Sequence, residues 1–421
     1  MNRFFFLFLV VFVVVNNSFS QNLYFPPNNN STWDTLSASS LGWCTNKIPL
    51  LYNYLDSTNS KAFIILKDGK IVLEKYFDAY TKDSLWYWAS AAKTVTSFLI
   101  GIAQQEGKLK ISDTSSKYLG LGWTNCTAEQ EQKITIRHQL TMTSGLDDDV
   151  ADNHCTLDSC LIYKTDAGNR WAYHNAPYTL LDKVLQNATG QFLNTLYITK
   201  LRNPIGMNGG FFPVDYDNLL ITTPRSMARF GLLILNKGNW NGNQILTDTS
   251  YFYQMINTSQ NINLSYGYLW WLNGKNSCMV PESQLVFPFS ISPDAPADMI
   301  AALGKNGQII NIIPSQNLVF IRMGDMPNTG DVPFTLTNEI WKRLNQVICN
   351  TGINDYLKQA EIELFPNPSE GIFTVEIRNF SFKSALFELY NLNGQKIFEQ
   401  VLANQYTNIN VSNVEKGFYI A

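Results

Sequence analysis

Histidine is scarce, with only His138, His154 and His174 among 421 residues. None stands in a His-Glu-x-x-His motif or at clustered spacing, which argues against a catalytic zinc site. The chain also lacks a Gly-x-Ser-x-Gly elbow, and with it the strand-to-helix nucleophile of the α/β-hydrolases. Positive charge is not in excess. Its 31 Lys and Arg face 34 Asp and Glu, a net charge of −3, so no electrostatic footprint for nucleic acid is present. The apolar run 4–15 is too short for a comfortable membrane span. Behind Arg3, and followed by the small residues Ser18 and Ser20, it reads as a secretory signal over 1–20, cleaved after Ser20. No cysteine follows the run closely, which argues against a lipid anchor.

What is present supports a large folded body, because 45% apolar content over this length suffices for a sizeable core and two or three domains. Export would place Cys44, Cys126, Cys155, Cys160, Cys278 and Cys349 in an oxidising compartment. Six cysteines allow fifteen pairings. Cys155–Cys160 is the expected bridge, closing a loop so short that chain entropy contributes only about 2 kcal/mol, and its use would be to shape a site rim. The alternative is a pair of buried free thiols.

The most informative stretch is Ser90-Ala91-Ala92-Lys93. Upstream, alternating residues flank Asp68-Gly69 and predict a β-hairpin. Downstream, apolar residues at 91, 92, 95, 98, 99, 102 and 103 predict a buried helix ending near Gly107. Ser90 then lies in the first turn of a core helix with Lys93 on the same face. A serine hydroxyl needs a neighbouring base, and an ammonium in an apolar site loses its proton more readily, so one rigid element supplies nucleophile and activator.

Three further segments carry a family resemblance. Ile134-Thr135-Ile136-Arg137-His138-Gln139-Leu140-Thr141-Met142-Thr143-Ser144-Gly145-Leu146 resembles the signature helix and turn of the serine β-lactamase and penicillin-binding superfamily. Tyr173-His174-Asn175 is similar to its Tyr-x-Asn motif. The stretches 223–231 and 266–271 resemble its non-lactamase members, esterases and 6-aminohexanoate-dimer hydrolases. The resemblance runs from about 50 to about 345 with motifs in family order. It implies an α/β fold: a β-lactamase/transpeptidase-like antiparallel sheet flanked by helices, with a helical insertion over about 109–225. Strands are expected around 266–272, 299–304, 308–313 and 318–323. Thr223 and Pro224 should start a helix that Gly238 closes.

Near residue 350 the texture changes to short alternating runs at 372–377, 385–390 and 395–398, with a turn at Asn393-Gly394, which predict a small β-sandwich. Leu364-Phe365-Pro366-Asn367-Pro368 and Leu389-Tyr390-Asn391-Leu392-Asn393-Gly394-Gln395 resemble the type A sorting domain of the type IX secretion system. Its last motif begins at Lys416-Gly417-Phe418-Tyr419-Ile420, and the final basic strand of that family would lie beyond Ala421, so a truncated sorting domain is read here. The domain reading is therefore signal peptide 1–20, hydrolase 21–350 and sorting domain 351–421. The expected location is secreted or at the cell surface, through the periplasm of a Gram-negative bacterium, with the secretion machinery as partner.

The resemblance implies Ser90 as acylated nucleophile, Lys93 polarising it, and Tyr173 as a general base if it folds beside Lys93. Asn175 would orient the acyl side chain or hold Lys93. Ser90 N–H and a facing strand amide would form the oxyanion hole. Lys305-Asn306-Gly307 stands where the family keeps its third motif but lacks the middle hydroxyl residue; it reads equally as an Asn-Gly hairpin turn with Lys305 solvated. Asp147, Asp148, Asp149 and Asp152 read as a solvated acidic loop near the rim. The expected activity is hydrolysis of a small-molecule or peptide ester or amide with no cofactor. The rivals are a penicillin-binding protein or β-lactamase, and a catalytically silent surface binding protein.

Overall fold

In the computed structural model of the protein, the described residues are 23–326, 332–349, 361–378 and 384–420, apart from 392, 394, 416 and 418. The expected signal over 1–20 lies outside them, as do parts of the Asn393-Gly394 turn and of the 416–420 motif. The chain divides into two compact units between Cys349 and Asn350.

The hairpin flanking Asp68-Gly69 forms as β1 (Ser60–Lys67) and β2 (Lys70–Tyr76). Strands β3 (Trp86–Tyr87), β4 (Gly210–Val214) and β5 (Asp217–Thr222) make a small sheet in the order β3-β5-β4. The insertion 109–225 is therefore not wholly helical. Its β4–β5 hairpin turns at Asp215 with φ of 50° and pairs with a strand more than a hundred residues earlier, a long-range contact that local periodicity does not carry.

The later strands β6 (Trp271–Leu272), β7 (Ile300–Gly304), β8 (Gln308–Ile313) and β9 (Leu318–Gly324) complete a six-stranded antiparallel sheet in the order β2-β1-β9-β8-β7-β6. Only the end of the expected strand 266–272 is a strand. Gly267 N–H donates to the Trp270 carbonyl and Leu269 adopts φ of 63°, so the chain reverses and Tyr266 forms only an isolated bridge back to Trp271.

Strands β7, β8 and β9 are buried along their whole length, which their near-continuous apolar character requires. Helix α1 (Ile48–Ser57) precedes β1. The serine-bearing 3-10 turn Ala89–Ala92 runs into α2 (Lys93–Gln105), with Gly107 at φ of 68° just beyond it. Helices α3 (Ile136–Leu140), α4 (Asn175–Thr189), α5 (Pro224–Leu235) and α6 (Phe334–Ile348) follow. Thr223 is the N-cap residue of α5, Pro224 stands at its start and Gly238 follows its end.

Successive residues of β8 face opposite layers. Ile310 meets α5, where Gly231 allows the approach: a Cβ there would stand 2.7 Å from Val319 Cγ1 and 3.1 Å from Ile310 Cγ2. Asn311 faces α6 and accepts a 2.8 Å hydrogen bond from Trp341 Nε1. Two disulfides form, Cys155–Cys160 as expected and Cys44–Cys349, while Cys126 and Cys278 are free thiols.

Among its described residues, the C-terminal unit has two three-stranded sheets. The first holds β10 (Glu361–Phe365), β11 (Ile372–Arg378) and β14 (Tyr406–Asn410); the second holds β12 (Ala385–Asn391), β13 (Lys396–Leu402) and β15 (Tyr419–Ile420). Phe373, Val375, Ile377 and Ile409 from one sheet and Phe387, Leu389 and Leu402 from the other form its own core. A chain ending at Asn350 should therefore keep the main thermal unfolding transition of the full protein, since Cys349 and its bridge to Cys44 stay in place. Calorimetry of the two chains checks this, and a collapse of that transition would show the units to be interdependent.

Candidate active site

The turn 89–92 is held from two sides. Trp88 N–H donates to the Leu220 carbonyl and Trp88 Nε1 to Thr222 Oγ1 at 2.8 Å, tying the turn to β5. On the other side β7 runs so close that a Cβ on Gly304 would lie 2.4 Å from the Trp88 carbonyl oxygen and 3.1 Å from Ser90 N. Ala89, immediately before Ser90, sits at φ of 45°, a left-handed conformation that costs a non-glycine residue of order 1–3 kcal/mol and that the packed surroundings impose.

Within this frame Lys93 Nζ donates to Ser90 Oγ at 2.8 Å. Lys93 is buried among aromatic rings, its Nζ 4.3 Å from the Tyr178 ring centroid and 5.3 Å from that of Tyr173. Both rings turn the negative face of a π-system toward the amine. Tyr173 stacks on Trp271 at 5.8 Å and meets the edge of Tyr266, so its ring has little freedom.

The segment resembling the signature helix anchors Tyr173. Ala172 N–H donates to the Met142 carbonyl, and Gln139 receives Ser115 Oγ at 2.7 Å and donates Nε2 to the Pro177 carbonyl at 2.7 Å. Asn175 opens α4 with its carboxamide Nδ2 donating to Asn153 Oδ1 at 2.8 Å and 3.2 Å from His154 Nε2. Between Tyr173 and Asn175, His174 is buried, neither ring nitrogen has a hydrogen-bond partner, and burial pushes its pKa down to about 4.

Of the four sequence-selected residues, Ser90 and Lys93 fall on the 89–105 turn and helix, Asn175 opens α4 and Tyr173 stands two residues before it; the two helices pack together. Lys305 is exposed in the one-turn connection Lys305–Gly307 between β7 and β8, where Asn306 takes φ of 63° and gives its Nδ2 to Tyr87 Oη at 2.7 Å. Buried Arg322 braces that connection, donating to the Gly307 carbonyl at 2.7 Å and to Ser60 Oγ at 2.8 Å. The acidic loop is not simply solvated: Asp147 pairs with Lys164 at 3.1 Å and Asp148 with Arg170 at 2.6 Å.

Sequence reasoning missed Tyr178, Asp182 and Asp217. Tyr178 is legible in retrospect as the i+3 neighbour of Asn175 on one helix face. Asp182 lies one further turn on, where Thr96 Oγ1 and Asn218 Nδ2 donate to it at 3.2 and 2.9 Å and burial raises its carboxyl to about 7. Asp217 comes from β5, and no local pattern announces it. Among the described residues there is no cluster able to hold a metal ion, and no helix is long and apolar enough to cross a membrane.

Comparison with known proteins bears on this arrangement. Residues 55–331 match the beta-lactamase family and residues 363–421 the secretion system C-terminal sorting domain. An uncharacterized protein of Alkalihalophilus pseudofirmus is 24% identical over 64% of this chain and 84% of its own length. A candidate 6-aminohexanoate-dimer hydrolase from Bacillus anthracis has a similar fold, with a TM-score of 0.58 at 18% identity over 76% of this chain and 89% of that one. A candidate beta-lactamase from Bacteroides dorei has the same TM-score of 0.58 at 18% identity, over 76% of this chain and 100% of that one. With the family match spanning the sheet, the serine turn and α4 alike, the chain belongs to the beta-lactamase family and carries a secretion sorting domain behind it.

Proposed function

We propose that the protein is a secreted serine hydrolase that cleaves an ester or amide through an acyl-enzyme on Ser90. The observation that carries this reading is the 2.8 Å contact between Lys93 Nζ and Ser90 Oγ inside an aromatic cage. In the reaction Ser90 Oγ attacks the carbonyl carbon while its proton passes into the Lys93–Tyr173 pair. The oxyanion is held by Ser90 N–H and an N–H at the end of β7 beside Gly304. Collapse expels the leaving group, which takes up the proton, and water then hydrolyses the Ser90 ester by the reverse proton path. Lys305, at the exposed mouth, has no step in this proton transfer. Treatment with a fluorophosphonate should add one adduct, mapped to the peptide that contains Ser90. An adduct on another serine would sink the assignment, and no adduct would favour a silent binding protein.

Esters are favoured over β-lactams, because Asn306 stands where a hydroxyl residue would receive the β-lactam carboxylate and its Nδ2 is engaged by Tyr87. Losing one charge-assisted hydrogen bond costs about 1.5–3 kcal/mol, or roughly ten- to a hundred-fold in rate. Nitrophenyl butyrate should accordingly show the higher kcat/KM when compared with a chromogenic cephalosporin. The opposite preference would make the penicillin-binding or β-lactamase reading the better one.

A further inference from the structure

We infer that His154, with its tautomer set by Asp217, is a positioning residue that orients the Asn175 carboxamide; this rests on the reading of Asn175 as part of the active site. His154 Nδ1 lies 2.5 Å from Asp217 Oδ2, and Asp217 Oδ1 accepts from Thr179 Oγ1 at 2.8 Å. A carboxylate that receives both groups requires the imidazole proton on Nδ1. Burial alone would raise Asp217, but the hydrogen bonds from His154 and Thr179, together with nearby positive charge, hold its carboxyl below the usual range, so it stays an acceptor.

With the proton on Nδ1, His154 Nε2 offers a lone pair to Asn175 Nδ2, 3.2 Å away. The same Nδ2 also donates to Asn153 Oδ1 at 2.8 Å, which in turn accepts the Asn175 backbone N–H at 2.8 Å. Both carboxamide hydrogens are therefore committed to residues 153 and 154. A flipped carboxamide would set its oxygen against the Asn153 oxygen and the His154 lone pair, two acceptor–acceptor contacts. The arrangement leaves Asn175 Oδ1 buried with no hydrogen-bond partner. Asn175 thus presents an acceptor, not a donor, to whatever N–H or O–H reaches it during turnover. The Cys155–Cys160 disulfide begins at the residue after His154.

The experiment compares His154→Phe, His154→Gln and Asp217→Asn in the full-length protein, following nitrophenyl butyrate turnover, the rate of fluorophosphonate labelling and the thermal midpoint. In Asp217→Asn the new amide can donate to Nδ1, which moves the imidazole proton to Nε2 and turns it against the Asn175 hydrogens. His154→Phe and Asp217→Asn should each lower kcat about ten-fold, with KM changing less than about two-fold. His154→Gln restores an acceptor near the position of Nε2 and should recover kcat to within about three-fold of the parent. If His154→Phe does not fold, Asp217→Asn decides alone. Unchanged kcat in folded His154→Phe or Asp217→Asn would overturn the inference, as would a His154→Gln as slow as His154→Phe. A parent that takes no fluorophosphonate would remove the hydrolase reading itself, whereas a labelled parent with indifferent variants removes only the role of His154.

Discussion

Ser90→Ala should leave no turnover above background, and Lys93→Met should lower kcat by about 10²–10⁴-fold, the range expected when proton transfer to a positioned group is lost. The double variant should be no worse than Ser90→Ala. Ser90 and Lys93 share one 2.8 Å contact and, in the proposed mechanism, one proton, so their effects should not add. Methionine is the suitable replacement because it keeps the unbranched, apolar stem of a buried lysine, so the cage of Tyr173 and Tyr178 stays filled. Nitrophenyl ester kinetics on the three variants, with thermal midpoints to verify folding, check the expectation. A Lys93→Met enzyme retaining a tenth of the parent kcat would show that the proton leaves Ser90 by another route.

The second large effect is on stability and depends on pH. His174 is buried with neither ring nitrogen bonded, and its pKa of about 4 in the folded state lies below the roughly 6.5 of an unfolded histidine. Because the folded pKa is depressed, the unfolded chain binds the proton first as pH falls. Stability is whole above about pH 6.5, declines between 6.5 and 4, and levels off below that. A shift of this size corresponds to about 3 kcal/mol over the window. His174→Leu removes the titrating group and leaves no orphaned nitrogen, so it should be nearly neutral or stabilising at pH 7.5 and clearly stabilising at pH 4.5. Urea unfolding of both proteins across that range measures the difference. Parallel pH curves would mean that the imidazole finds a partner in solution.

The elements legible in the sequence were those whose stabilising contacts are local or periodic. The β1–β2 hairpin follows from Asp68-Gly69 between alternating residues, α2 from its apolar spacing, and α5 from Thr223-Pro224 at its start. Ser90 and Lys93 could be paired because a helix places residues three apart on one face whatever surrounds it. Local reading failed where a positive-φ reversal or a distant strand partner decided the outcome. The 266–272 segment looked like a strand but reverses at Leu269, and β4–β5 was hidden inside a stretch read as helical.

The site divides along the same line. The sequence alone determined the Ser90–Lys93 spacing, the Tyr-x-Asn segment and the sorting-domain signature as candidate features, since each is a short motif whose spacing carries its chemistry. Only the tertiary structure decided that Tyr178 closes the cage over Lys93, that Gly304 brings β7 against Ser90, and that Asp217 reaches His154 behind Asn175. It also decided that Cys44 pairs with Cys349 across 305 residues, a choice that six cysteines in a row cannot express. Those contacts join residues far apart in the chain, and their free energy comes from packing and hydrogen bonding that exist only once the sheet and helices have assembled.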